Sequence, residues 1–339
     1  MKLFKYILFL LLIAIIGTAI YIAVQPNDFR VSRTRTIKAP AAVVYNKVID
    51  FKTWESWSSW IEDNPDIKIT LDEKTSGVGG SYSWIDGNST GTMKTVSANP
   101  HTSITQVMKF DDMPASDVVW EFEPNKDRTT DVTCTMSGND LPFMFKAFTA
   151  FSGGMEAEVG PHYERNLEKL EDIVVKDMQQ YSVTVNGLTN HSGGYYLYNT
   201  TSCKINELET KMQEMLPQVT KYAMDNNITM AGAPFVNYLK WDDTNNAVIF
   251  SSCVPTTEKV ITTDSNILTG QLLPFKAIKT TLKGDYSNLK EAWDKAMAYI
   301  PANGFEFADN GPMLEIYGTN PKETPNPANW ITEIYIAVK

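Results

Sequence analysis

Arginine is scarce in this chain of 339 residues: the last one is Arg165, and the second half has none. Arginine supplies the planar fork that reads phosphates and base edges, and a nucleic-acid-binding domain needs a basic face. The net charge of −10 is spread over both halves. Nucleic acid is therefore not expected as a partner. Anionic ligands are disfavoured in the second half, and neutral or cationic ones are allowed.

Cysteine and histidine are equally thin, with three of each. Cys134, Cys203 and Cys253 stand far apart, with no CxxC pair and no disulfide framework. A Cys203–Cys253 bridge and a pair of buried free thiols both fit. His101, His162 and His191 show no metal-ligand spacing, so neither a metal nor a cofactor is implied. A phosphate loop is missing too. Gly77-Val78-Gly79-Gly80 has no following lysine and no strand-to-helix setting, and reads as a hairpin turn.

What is present begins with an 18-residue uncharged run from Ile7 to Val24. At about 1.5 Å per residue it spans roughly 27 Å, enough to cross a hydrocarbon core. A cleaved signal peptide has a shorter apolar region ending at a small-residue site. Gly17-Thr18-Ala19 is such a site, but it lies inside the run and Ile20-Tyr21-Ile22 follows it. Length favours an anchor formed by residues 7–24, and both readings stay open. Lys2 and Lys5 place the N-terminus on the cytoplasmic side and the rest outside, in a periplasm-like location. Arg30, Arg33, Arg35 and Lys38 oppose this, but they alternate along an expected strand.

Behind the anchor (1–27), length predicts two domains, 28–176 and 181–339, of α+β class. In the first, Phe29–Lys38 alternates as a strand, Ala39-Pro40 breaks it, and Ala41–Ile49 reads as a short helix. Strand-like runs follow at 66–73, 79–86, 90–98, 101–110, 116–123 and 129–137, then a helix over 160–176. Such a curved sheet wrapped around a helix leaves room for a cavity. The segment "IKAPAAVVYNKVIDFKTWESW" (37–57) and "GVGGSYSW" (77–84) resemble the START-like (SRPBCC) family of polyketide cyclases and lipid-transport proteins. The resemblance implies a helix-grip fold. It implies no particular chemistry, because binders, carriers and enzymes share that scaffold. Trp54, Trp57 and Trp60 read as core and cavity wall.

The second domain opens with a strand at Tyr181–Val185, which Tyr195–Tyr198 extends, and a helix over 206–225. Strands at 235–241 and 247–254 follow. The order then repeats: strand 275–282, helix 287–300, strands 313–317 and 330–338. "GAPFVNYLKW…AVIFSSCVP" and "GPMLEIYGTN…WITEIYIAV" read as one unit written twice, with a cleft between the halves. "GDYSNLKEAWDKAMAYI" (284–300), "GPMLEIYGTNPKETP" (311–325) and "WITEIYIAV" (330–338) resemble the GyrI-like effector-binding domain. The resemblance implies a small-molecule binder and, in some members, a hydrolase. It also implies a glutamate that projects from the C-terminal strands into an aromatic cleft and meets planar cations.

Glu315 in "LEIY" and Glu333 in "TEIY" occupy those positions. Ring faces and a carboxylate attract the same charge, and burial would raise the carboxylate pKa enough for a general base. Strand glutamates ordinarily face water. Here Met313, Glu315 and Tyr317 share one face while Leu314 and Ile316 share the other, so the cleft and the solvent face both stay open. Tyr196, Tyr198, Tyr238, Phe250, Trp293, Tyr317 and Tyr335 are the candidate cleft aromatics, each with core packing as its plainer role. The expected function is a membrane-anchored binder of hydrophobic, neutral or cationic small molecules. The alternative is a hydrolase of small electrophiles, with Glu315 or Glu333 as its base. No helix-turn-helix precedes the second domain, so transcriptional control does not follow from the resemblance.

Overall fold

The computed structural model describes residues 2–339 and divides into two compact units between Asp177 and Met178. Helix α1 (Lys2–Ala23) is long and apolar enough to cross a membrane, and its side chains are almost all exposed.

The rest of the first unit is a seven-stranded antiparallel sheet gripping a long helix. Its strands are β1 (Phe29–Ile37), β2 (Lys68–Leu71), β3 (Ser81–Asp86), β4 (Ser89–Asn99), β5 (Ser103–Phe110), β6 (Ser116–Pro124) and β7 (Thr130–Gly138). The order is β1-β7-β6-β5-β4-β3-β2, a meander closed by the first strand pairing with the last. Short helices α2 (Ala41–Ile49) and α3 (Ser59–Asp63) fill the connection between β1 and β2. Helix α4 (Phe143–Ser152) was not expected from the sequence, and α5 (Gly154–Met178) runs longer than expected.

Alternation along β4 to β7 sends Met93, Ile104, Val118, Trp120, Val132, Cys134 and Met136 inward. Tyr163, Leu167, Leu170 and Val174 of α5 are buried with them, spaced for one helix face. Arg33 and Arg35 in β1 pair with Glu156, Glu164 and Glu171 of α5. These ion pairs give Arg33 and Arg35, two of the four basic residues after α1, a structural role.

The second unit is one eight-stranded antiparallel sheet with two helices. Its elements are β8 (Ser182–His191), β9 (Gly194–Lys204), α6 (Leu208–Asp225), β10 (Phe235–Asp242), β11 (Ala247–Thr256), β12 (Leu268–Leu272), β13 (Phe275–Lys283), α7 (Leu289–Ala302), β14 (Met313–Tyr317) and β15 (Ile331–Ala337). The order β12-β9-β11-β10-β14-β15-β13-β8 makes the duplication visible. One repeat is β9-α6-β10-β11 and the other β13-α7-β14-β15. They join where β10 pairs with β14. The first strand of the first repeat is thus β9 and not the run at 181–185. That run belongs to β8, which crosses to pair with β13 of the other repeat.

Helix α6 packs on β9 and β11, and α7 packs on β13, β15 and β8. Val219 and Ala223 of α6 lie against Leu197 and Val254. Ala292, Ala296 and Ile300 of α7 lie against Ile278, Leu282, Ile334 and Ile336. The central strands β10 and β14 run between the two helices. The three cysteines are free: Cys203 pairs across the ladder with Val248 and Cys253 with Tyr198, too far apart in register to bridge.

Candidate functional site

Glu315 sits at the seam between the repeats. It pairs with Val236 across β10–β14 and with Ile334 across β14–β15. Partners opposite one another in an antiparallel ladder share a face, and Val236 and Ile334 lie in the cores beneath α6 and α7. The carboxylate is therefore on the helix-covered side of the sheet, 2% exposed.

Three aromatic side chains hold it. The Trp293 indole N–H of α7 donates to Oε2 at 2.7 Å, and the Tyr238 hydroxyl of β10 donates to the same oxygen at 3.4 Å. The Tyr317 hydroxyl, two residues along the same strand and so on the same face, donates to Oε1. Trp293 and Tyr238 meet edge to face, their centroids 5.4 Å apart. Among the described residues, no lysine, arginine or histidine forms an ion pair with Glu315.

Burial pushes the Glu315 pKa above the usual carboxylate range, and the three donated hydrogen bonds pull it partly back. Burial, with the nearby Glu315 charge, pushes the Tyr238 and Tyr317 hydroxyls far above their usual range. Both therefore remain O–H donors at any physiological pH. A carboxylate held by neutral donors, with no counter-ion, attracts a cation while its aromatic neighbours supply ring faces.

Phe250, opposite Tyr238 in the β10–β11 ladder, is fully buried in the adjoining core with Met215 and Val248. One participant was not expected from the sequence. Tyr286, in the turn before α7, lies 5.4 Å from the Tyr317 ring and 4.6 Å from Trp330. Burial first, and Glu315 second, raise its pKa to about 12. Its signal in the sequence is the Asp285 cap: the Asp285 carboxylate accepts from the Ser287 backbone N–H, which fixes the turn that carries Tyr286.

Glu333 is elsewhere. It pairs with Ile316 and Thr281, which places it on the opposite face from Glu315. There Lys279 forms an ion pair with Glu333 at 2.6 Å, the Tyr335 hydroxyl donates to it at 2.9 Å, and the Lys279 ammonium lies 5.4 Å from the Tyr335 ring centroid. His191 stacks on Phe275 nearby, and burial lowers its pKa. Tyr196 and Tyr198 share this second face with Phe235, Cys253 and Leu314. The Tyr196 ring lies so close over Gly270 that a Cβ there would meet it at 2.4 Å.

The aromatic candidates thus divide. Tyr238, Phe250, Trp293 and Tyr317 lie on the face of Glu315, and Tyr196, Tyr198 and Tyr335 on the face of Glu333. Of the two glutamates, Glu333 has a cationic partner among the described residues and Glu315 has none.

In the first unit, Trp54, Trp57 and Trp120 pack together with Phe51 and Tyr82. Trp60 stands apart, stacked on His162. Inside the grip, Gln106 is fully buried, and its carbonyl accepts from the Trp120 indole N–H at 3.2 Å. Its amide nitrogen and the hydroxyl of Thr95, opposite it in the β4–β5 ladder, have no partner among the described residues.

An antiparallel sheet gripping a long helix is followed by a duplicated strand-helix-strand-strand sheet, and both match families of small-molecule-binding type. Residues 28–175 match the family described as polyketide cyclase / dehydrase and lipid transport, and residues 195–339 match the GyrI-like small molecule binding domain. No curated protein matches the chain.

Among solved structures, the C-terminal domain of EcmrR is 17% identical, covering 47% of this chain and 98% of that one with a TM-score of 0.41. The EcmrR–DNA complex is 16% identical over 52% of this chain and 70% of that one, also with a TM-score of 0.41. The protein SA2116 from Staphylococcus aureus is 14% identical over 46% of this chain and 99% of that one, with a TM-score of 0.37.

Proposed function

We propose that this protein is a membrane-anchored binder of hydrophobic small molecules, neutral or cationic, whose cation-selective site is Glu315. The observation that carries this reading is the buried, unpaired carboxylate of Glu315 among Trp293, Tyr238 and Tyr317. A buried ionised group without a counter-charge is costly, and a cationic aromatic ligand supplies both the missing charge and apolar contact. In the first unit, the Gln106 amide and the Thr95 hydroxyl supply polar anchors for a neutral ligand with one oxygen acceptor. Helix α1 supports the anchor by its length and exposed apolar surface. Acidity and the lack of arginine after Arg165 support small molecules over nucleic acid as partners.

The test is pH. A quaternary ammonium dye has no titration of its own, so its affinity follows the ionisation of Glu315. Titrations followed by fluorescence should show affinity rising about tenfold per pH unit below the Glu315 pKa and levelling off above it. The midpoint should lie above the 4.5 of an ordinary glutamate. Affinity flat from pH 4 to 8 would remove Glu315 from the site.

A second reading, hydrolysis of small electrophiles, is favoured by one observation: the raised pKa of Glu315 beside the Tyr317 O–H. Such a carboxylate is a stronger base than an exposed one, and the phenol can donate to a leaving oxygen. Turnover of a reactive epoxide, lost in Glu315→Gln, would establish it. Binding without turnover leaves the first reading in place.

A further inference from the structure

Helix α4 leaves the sheet of the first unit beside the membrane-type helix. Phe29 opens β1 directly after α1, and its ladder partner is Gly138, the last residue of β7 before α4. The two connections therefore leave the same corner of the sheet, and the Leu141 N–H donates to the Asn27 carbonyl between them at 3.1 Å. Helix α4 packs on α1 near its C-terminal end, where Ile22 is buried.

The only charged side chain of α4, Lys146, is buried, and its ammonium donates to the Ala23 carbonyl at the end of α1 at 3.1 Å. Capping the last carbonyls with a lysine completes the end of α1 within the protein.

The outer side of α4 has no such polar use. Its exposed residues are Phe143, Met144, Phe148 and Phe151, and no other residue of the helix is exposed. Met144, Phe148 and Phe151 fall at i, i+4 and i+7, so they form one stripe. A helix in water turns its polar side outward, and this one turns out phenylalanine and methionine only.

We infer that α4 lies in the surface of the bilayer that α1 crosses, with Met144, Phe148 and Phe151 among the lipid chains. The inference rests on the anchor reading of α1. The occupant is lipid because α4 packs on a helix whose exposed surface from Ile7 to Ile16 is apolar throughout. A short helix with an exposed apolar stripe settles at the boundary between headgroups and acyl chains. It gives the first domain a second hold on the membrane and fixes one end of its sheet at the lipid surface.

The test uses the full chain in phosphatidylcholine vesicles. An environment-sensitive fluorophore is placed by Met144→Cys or Phe151→Cys in a Cys203→Ser background, where the remaining Cys134 and Cys253 are buried. Two further positions calibrate it: Leu12→Cys within α1, and Lys126→Cys in the β6–β7 turn at the far end of that hairpin. Lipids with a nitroxide near the headgroup should quench positions 144 and 151 about threefold or more above position 126, and position 12 should respond best to a deep nitroxide. Quenching at 12 but not at 144 or 151 would overturn the inference and leave the anchor standing. Fluorophores at 144 that quench one another and ignore lipid nitroxides would show a second copy of the chain in the bilayer's place, and would overturn it equally. No quenching at 12 would remove anchor and inference together. Phe148→Asp, at a side chain 55% exposed, gives an independent check: it should weaken lipid quenching at 144.

Discussion

Glu315→Gln should weaken binding of a planar aromatic cation by about 30- to 1,000-fold, corresponding to roughly 2–4 kcal/mol. A neutral ligand of the same shape should lose little. Glutamine keeps the size of the side chain and an oxygen for Trp293, but removes the charge. The effect is large because the site is dry: Glu315 is 2% exposed, and no lysine or arginine among the described residues pairs with it. A surface carboxylate removed in the same way would cost well under about 1 kcal/mol.

The same substitution has a signature without ligand. Because burial raises the Glu315 pKa, the folded protein binds more protons than the unfolded chain just above pH 4.5. Stability linked to this residue is present at low pH and lost as pH rises through the raised folded value. Glu315→Gln removes that dependence, so the variant should be at least as stable as the parent at neutral pH. Calorimetry across pH 4–8 reads this directly. A variant less stable at pH 7, with unchanged cation affinity, would make Glu315 a structural hydrogen-bond acceptor and nothing more.

Trp57→Ala should cost the first domain about 3–5 kcal/mol. Trp57 is fully buried, tilted against Trp54 with centroids 4.7 Å apart and edge-on to Trp120 at 5.9 Å. Truncation removes a large, fully buried ring and leaves a void its rigid neighbours cannot fill. At about 2–4 °C per kcal/mol for a domain of this size, its melting transition should fall by roughly 6–20 °C. A loss below about 1 kcal/mol would mean that the ring lines an open space, and would make it a ligand contact in place of core.

The particular residues show how far pattern alone reaches. The strand at 313–317 has the bounds that its alternation predicts, although both of its faces are covered. Which face each glutamate takes was not legible. Glu315 and Glu333 stand in nearly identical motifs, but Ile316 is the residue opposite Glu333, and that one-residue offset sends the two carboxylates to opposite sides of the sheet. Register is set by pairing between distant segments, which a single sequence does not display.

Helix α4 was illegible for a related reason. Its apolar residues occur nearly all round a ten-residue span, so helical periodicity is faint until α1 and the lysine cap are placed beside it. Strand β12 is short and holds Gly270 in its centre, with only Leu273 and Pro274 before β13. The duplication was legible, but its first strand was not. Tyr181–Val185 looks like a leading strand, and only the pairing of β8 with β13 shows that β9 has that role. As a turn tyrosine Tyr286 carries no periodic signal, and only the Asp285 cap beside it marks the turn.

The function proposed for Glu315 depends on where a cation binds, and a structure of the full chain with a planar quaternary ammonium dye decides this. The dye should lie between α6 and α7 over β10 and β14. Its charged nitrogen should sit within about 6 Å of the Glu315 carboxylate, with its rings against Trp293, Tyr238 or Tyr317. A dye seated instead on the opposite face, beside Glu333, Lys279 and Tyr335, would contradict the assignment.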